Sequence, residues 1–297
     1  MPRYAKPDFI IVGAAKSGTT SLFHYLNRHP DIFIPAVKEC RFFSQLPKNF
    51  KGLGAEFFPN SGITDEKTYF ALFAEAGDKV CGDISNDYLY YYNDSVENIK
   101  KYLGDDVRII IILRNPIDRA YSNYLHHVRD GWEDLSFEEA IAEEQNRIAQ
   151  NWAWGYHYVK AGFYSEPVRT YLENFSHVEI LLYEDLKDPD TLLKKIYRFI
   201  GVGCRELNGE GERQYNVSGY PKNRLLHRLL TDGRTKRLAK FLLPVFLKRR
   251  IVAGIKNRNL KKIPMNAATR AMLLKTYEAD IKRLSALIGR DLSQWLR

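Results

Sequence analysis

Lys16, Ser17, Gly18, Thr19 and Thr20 place one ammonium, three hydroxyls and a glycine within five residues. They follow Phe9-Ile10-Ile11-Val12-Gly13, an apolar run suited to a buried strand, and they contain good openers for a helix. At such a strand-to-helix turn the first backbone N–H groups point outward without partners. The helix dipole adds partial positive charge, and glycine lets an anion come close to the backbone. The turn is therefore predicted to bind an anionic group, most simply a nucleotide phosphate. A second strand-loop-helix follows, where the apolar run Val107–Leu113 ends in Arg114-Asn115 and Pro116 stands at the helix entry.

The elements that must position these groups are also legible. Val107–Leu113 is an unbroken, mostly β-branched run, which is what a central parallel strand covered on both faces requires. Pro116 then marks a helix entry. Strands are further expected at 31–35, 80–88 and 178–183, and helices at 19–28, 67–76, 95–103, 190–200 and 269–287, with another after Tyr164 through Phe175. Ser136 and Glu139 form a capping-box pattern. Strands alternating with helices give an α/β fold with a central parallel sheet flanked by helices, a P-loop-like nucleotide fold. The chain is read as one domain over 1–297, with a core at about 7–201 and a basic helical segment at about 216–297.

The loop differs from a Walker A loop, because its lysine precedes the second glycine, and no later strand ends in the acid of a Walker B motif. In its order Ala15-Lys16-Ser17-Gly18-Thr19-Thr20, and above all in Arg114-Asn115-Pro116-Ile117-Asp118-Arg119-Ala120-Tyr121-Ser122, the chain resembles the sulfotransferases that use 3′-phosphoadenosine 5′-phosphosulfate (PAPS). The resemblance is to the branch containing the heparan sulfate sulfotransferases and their bacterial relatives. It runs clearly from about Pro7 to Gly201 and thinly beyond.

This resemblance implies the sulfotransferase fold and transfer of a sulfuryl group by in-line displacement, with no essential metal and adenosine 3′,5′-bisphosphate as product. Lys16 to Thr20 would hold the 5′-phosphosulfate, and Lys16 would balance charge on the departing phosphate oxygen. Arg114 and Ser122 would take the 3′-phosphate. Glu39, in Glu39-Cys40-Arg41-Phe42-Phe43, matches the glutamate that takes the acceptor's proton in the family, where Arg41 is a histidine. Asp83 and Ser85 match a substrate-facing segment, with Ile84 in place of its lysine, although a turn or cap role fits them equally well. Tyr164 matches a tyrosine over the cofactor or acceptor. Lys222 and Arg224 stand where a late loop closes on the nucleotide, with Lys261 and Lys262 as a rival location. Arg119 is read as a helix-surface or internal ion-pair residue. Trp152, Trp154 and Tyr156 are read as core before sugar platform.

Composition bounds the rest. The chain has 297 residues and a net charge of +9, yet fourteen Lys and Arg fall between Lys222 and Lys262 against Asp232 alone, leaving the remainder mildly acidic. Such a stretch suits an anionic membrane surface or a polyanionic acceptor. Cys40, Cys81 and Cys204 are too few and too scattered for a disulfide framework or a zinc site. A cytoplasmic protein is expected, with possible peripheral contact at the inner membrane surface, and no nucleic-acid partner. The acceptor is expected to be a hydroxyl of a sugar or glycolipid. A P-loop kinase or NTPase is the first alternative, and a nonenzymatic basic module for membranes or nucleic acid the second.

Overall fold

In the computed structural model the described residues are 6–46, 49–55, 62–205, 220–221, 260–261 and 263–297. Five parallel strands, β1 (Phe9–Gly13), β2 (Ile32–Phe33), β3 (Val80–Ile84), β4 (Arg108–Leu113) and β5 (Val178–Leu182), form one sheet in the order β2-β3-β1-β4-β5. Because β1 is central, the chain passes to one side of it for β2 and β3 and to the other for β4 and β5. The carboxyl ends of β1, β3 and β4 thus border a topological switch point, the usual place for a ligand crevice in an open α/β sheet.

Alternation along each strand divides the core. Phe9 and Ile11 of β1, with Ile110 and Ile112 of β4, pack against Leu22, Tyr25 and Leu26 of α1 (Thr19–Leu26) and Leu192, Leu193, Ile196 and Ile200 of α2 (Pro189–Ile200). Ile10, Val12, Ile109 and Ile111 face the other way. They meet α3 (Tyr92–Leu103), α4 (Pro116–Asp130), α5 (Ser165–Asn174) and α6 (Ala267–Ile288). Burial of both sheet faces explains why β1 and β4 read as continuous apolar runs.

Most expected boundaries hold to within a few residues. The strand expected at 80–88 stops at Ile84, since Tyr88, Tyr90 and Tyr91 turn back onto the carbonyls of Ser85 and Asp87. The helix expected at 67–76 is the short segment Glu66–Ala71. The capping box at Ser136 and Glu139 is formed. A two-stranded antiparallel ladder that periodicity did not announce pairs Tyr220 with Lys261 and Pro221 with Leu260. It packs against α4, where the Tyr121 hydroxyl donates to the Ile263 carbonyl at 2.9 Å. The helix pair expected within 225–255 lies outside the described residues.

Candidate active site

Every strand of the main sheet delivers part of the site at its carboxyl end. After β1, the register against β4 shifts between Ile11 and Gly13, and a bulge of this kind re-aims the chain that follows. Gly13 has φ +143°, and a Cβ there would lie 2.9 Å from Leu89 Cβ and 3.0 Å from the Asn86 carbonyl. Gly18, at φ +102°, opens α1, and a Cβ there would lie 2.4 Å from Leu186 Cδ1. Both glycines are therefore demanded by backbone conformation and by close approach. Between them Lys16 adopts φ +67°, uncommon for a residue with a side chain. Burial holds its ammonium down at about pKa 7, with Arg129, Arg114 and Lys38 lowering it further and Asp130 opposing them. Ser17 is fully buried with its hydroxyl unpartnered, Thr19 is buried and Thr20 half-buried.

Arg114 ends β4 half-buried, donates from NH1 to the Lys16 carbonyl at 3.1 Å, and stacks on Tyr183 at 4.4 Å just after β5. The turns after β1 and β4, 98 residues apart in sequence, are thus joined directly. The Tyr183 turn is itself anchored, because Asp185 takes a bidentate contact from Arg290 at 2.9 Å for each bond and accepts from Leu182 N at 2.8 Å. Asn115 caps α4 by accepting from Ile117 N at 3.0 Å, and its amide donates to the Trp295 carbonyl, which ties the C-terminal tail beneath Arg114. Ser122 is half-buried on α4, one residue beyond the tyrosine that holds Ile263.

Glu39 follows β2, and its backbone N–H donates to the Ile84 carbonyl at the end of β3 (3.0 Å). Its carboxylate accepts from the Asn86 backbone N–H at 2.8 Å and the Asn86 side-chain amide at 3.1 Å, and it pairs with Lys38. A carboxylate offers about four lone-pair directions, so three partners leave it one for a proton. The Glu39 side chain is 18% exposed, open enough for an acceptor to reach. Glu39 and Arg41 share the left-handed conformation of Lys16, at φ +64° and +56°. Residues held in this way concentrate at functional sites.

Asp83 and Ser85, matched from the sequence to a substrate-facing segment, stand behind this turn. Asp83 is 1% exposed and accepts from Tyr69 and Tyr88 at 2.9 Å each and from Ser85 at 3.2 Å. Ser85 in turn accepts from Arg41 N at 3.1 Å. Burial pushes the Asp83 carboxyl up to about 6 despite the three hydroxyls that favour its charged form. The Asp83 carboxylate is thus engaged by three hydroxyls behind the Glu39–Arg41 turn, which Ser85 ties to it through Arg41 N. Burial pushes the Asp87 carboxyl up to about 6, with the Arg41 charge and the Ser44 hydroxyl opposing it. Tyr164 is 1% exposed and lies beneath the phosphate loop, its hydroxyl near Ser17 and pushed up to about 12 by burial. Arg119 is fully buried and donates to the Tyr158 carbonyl, so it clamps α4 to the aromatic segment and makes no surface ion pair. Lys222 and Arg224 lie outside the described residues, as does Lys262.

Sequence reasoning passed over His126. It stands four residues after Ser122, hence on the same face of α4, with Nε2 3.3 Å from Asp130 Oδ2. Burial chiefly, and then the Lys16 charge, hold it below the ordinary imidazole range. The i, i+4 spacing from Ser122 was the available signal.

Two donor-rich strand-to-helix turns at the ends of neighbouring parallel strands, with a carboxylate on the adjoining turn, border the crevice at the switch point of an open α/β sheet. The chain belongs to the sulfotransferase family, since the model of the sulfotransferase domain matches residues 6–217. It is accordingly a sulfotransferase enzyme, and the kinase and basic-module alternatives give way. A sulfotransferase structure from Alicyclobacillus acidocaldarius superposes with a TM-score of 0.76 at 33% identity, covering 99% of this chain and 100% of that one. The sulfotransferase domain from the curacin biosynthetic pathway shares the fold, with a TM-score of 0.51 at 13% identity. Among curated relatives, the human bifunctional heparan sulfate N-deacetylase/N-sulfotransferase 3 is 25% identical over 308 residues, and the Mus musculus N-deacetylase/N-sulfotransferase 4 is 26% identical over 320. Each alignment covers 98% of this chain, which spans 31% of the length of those relatives. Among the described residues no helix is long and apolar enough to cross a membrane.

Proposed function

We propose that this enzyme moves a sulfuryl group from PAPS to a hydroxyl of a carbohydrate or glycoconjugate. The observation that carries the reading is the direct contact of two anion-binding turns, Arg114 NH1 to the Lys16 carbonyl at 3.1 Å, beside the strained Glu39 turn. The residues present fit the donor. Ser17 keeps a buried hydroxyl without a partner inside the phosphate loop, and Gly18, whose Cβ position falls on Leu186, supplies the left-handed turn that starts α1. Lys16 and the Gly18–Thr20 backbone would hold the 5′ end, with Arg114 and Ser122 at the 3′-phosphate. Lys222 and Arg224 are proposed to close on the same phosphate.

When bound, PAPS supplies the sulfuryl group to be transferred. Glu39 takes the acceptor proton on its carboxylate, and Asn86 and Lys38 hold that carboxylate in place meanwhile. Lys16 places its ammonium against the negative charge that grows on the phosphate side of the breaking bond. Such preorganised donors act strongly in a water-poor cleft. His126 stands along α4 between Ser122 and Asp130, where it can hydrogen-bond an acceptor or donor oxygen.

The relatives' printed names support a sugar acceptor. They also favour a second reading, an amine acceptor, since those proteins are named N-sulfotransferases. The membrane contact proposed for the basic 222–262 stretch rests on its composition. Incubation with 35S-labelled PAPS and paired oligosaccharides, one N-acetylated and one bearing free amines, tests the reading. Label on the N-acetylated sugar, lost in Lys16→Ala and Glu39→Gln, is expected. Label on the free-amine sugar alone would replace the hydroxyl acceptor by an amine, and label on neither would overturn the carbohydrate assignment.

A further inference from the structure

The face of α4 that begins at Ser122 continues beyond the 3′-phosphate position. Ser122, His126 and Arg129 succeed one another at i, i+4 and i+7, one above the other on a single face. From Ser122 to Arg129 the helix rises about 10 Å, a span comparable to that between the two ends of one nucleotide. At the far end Arg129 is set rigidly. Its Nε donates to Asp130 Oδ1 and its NH2 to Asp130 Oδ2, each at 3.0 Å, and the same carboxylate holds His126 Nε2 at 3.3 Å. The Arg129 side chain is 16% exposed. Of the cations around Lys16, Arg129 depresses its ammonium most, more than Arg114, which touches the Lys16 backbone. Both Lys16 and Arg129 also bear on His126.

Lys16 and Arg129 carry like charge, and the Arg129 charge disfavours the Lys16 ammonium. An anion arriving between them relieves the repulsion. Lys16 serves the bridging phosphate oxygen, and the group beyond it on the donor is the sulfonate. We propose that Arg129 is a further donor-binding residue that holds the sulfonate end of the phosphosulfate, and that Asp130 is a positioning residue which fixes the guanidinium in its orientation. A guanidinium has five N–H donors in a flat fork, and a carboxylate on one edge orients the plane. This inference rests on the PAPS reading above and adds a residue that the phosphate-loop and 3′-phosphate motifs do not contain.

The test compares two nucleotides that differ only in the sulfonate. PAPS and adenosine 3′,5′-bisphosphate are each titrated calorimetrically into wild type, Arg129→Ala and Asp130→Asn, without acceptor. Arg129→Ala is expected to weaken PAPS at least about tenfold, the loss of one charge-assisted hydrogen bond, while the bisphosphate stays within about twofold. Asp130→Asn is expected to shift the same ratio in the same direction by less, with KM for PAPS rising more than kcat falls. Bisphosphate binding serves as the control for folding. Should Arg129→Ala fail to fold, Arg129→Gln, which keeps the stem, carries the same comparison. Equal weakening of both nucleotides, or no change in either, would overturn the proposal. Wild-type protein that binds neither nucleotide would overturn the PAPS reading itself, and the proposal with it.

Discussion

Lys16 is where the fold's cost and the enzyme's use of it meet, and pH exposes both. Desolvation and the charges of Arg129, Arg114 and Lys38 bring its ammonium to about pKa 7, from an ordinary value of 10.5, with Asp130 as the opposing charge and His126 and His127 packed nearby. In the free protein Lys16 is therefore half protonated near pH 7 and about one part in a hundred protonated at pH 9. An anionic nucleotide binds the protonated form and restores its proton, so binding takes up a proton above pH 7. The affinity for adenosine 3′,5′-bisphosphate should then fall about fiftyfold between pH 7 and pH 9, the ratio of the two protonated fractions. The nucleotide's own phosphates change little over that window, being about nine-tenths ionised already at pH 7 with a second pKa of about 6. Calorimetry in two buffers of different ionisation enthalpy should show uptake approaching one proton at pH 9. Lys16→Arg, charged at every pH used, should bind with a flat profile. A wild-type profile as flat as that of Lys16→Arg would refute the placement of Lys16 in a desolvated, cation-crowded site that binds the nucleotide.

Glu39→Gln should lower kcat at least about a hundredfold while leaving the dissociation constant for the bisphosphate within about twofold, because a proton acceptor is lost and a similar shape kept. An equal loss of nucleotide affinity, measured by calorimetry, would move Glu39 from catalysis to structure. Gly18→Ala sets a Cβ 2.4 Å from Leu186 Cδ1 at φ +102°, so nucleotide binding should collapse with the melting temperature only modestly lowered. Normal binding in that variant would show that the loop backbone does not approach the ligand. Asp83→Ala removes the buried acceptor shared by the Tyr69, Tyr88 and Ser85 hydroxyls and should cost about 1–3 kcal/mol in urea unfolding. It should also lower kcat through the Glu39–Arg41 turn, and unchanged stability would remove Asp83 as its support.

Much of this arrangement was legible because its causes are local. The run Ile109–Leu113 could be nothing but a strand covered on both faces, and Gly13 and Gly18 announce a turn where the backbone closes on its surroundings. That Arg114 follows a strand end and Ser122 lies on the next helix was legible from the apolar run and the Pro116 entry. The roles of Asp83 and Tyr164 were not, because they depend on long-range packing. Tyr88 lies close to Asp83 in sequence, but Tyr69 arrives from another helix and closes the Asp83 carboxylate off from the cleft. Arg119 resembles a helix-surface residue until the aromatic segment at 152–158 folds over it and offers the Tyr158 carbonyl. Likewise, Trp152 and Tyr156 are held by the segment around Gly52, whose Cβ position falls on the Trp152 ring, and by the Tyr156 hydroxyl's contact with the Leu53 carbonyl. Neither contact has a signature in local sequence.

The central claim is that two turns meeting at Lys16 and Arg114 take the two phosphate ends of one adenine nucleotide. Its most direct test is the affinity of the protein for adenosine 3′,5′-bisphosphate, AMP and ATP, measured by calorimetry with and without Mg²⁺, in wild type and Arg114→Ala. The account predicts that the bisphosphate binds at least about tenfold more tightly than AMP or ATP, that Mg²⁺ does not change this order, and that Arg114→Ala erases the advantage over AMP. Equal affinity for AMP and the bisphosphate, or an advantage that survives Arg114→Ala, would contradict it.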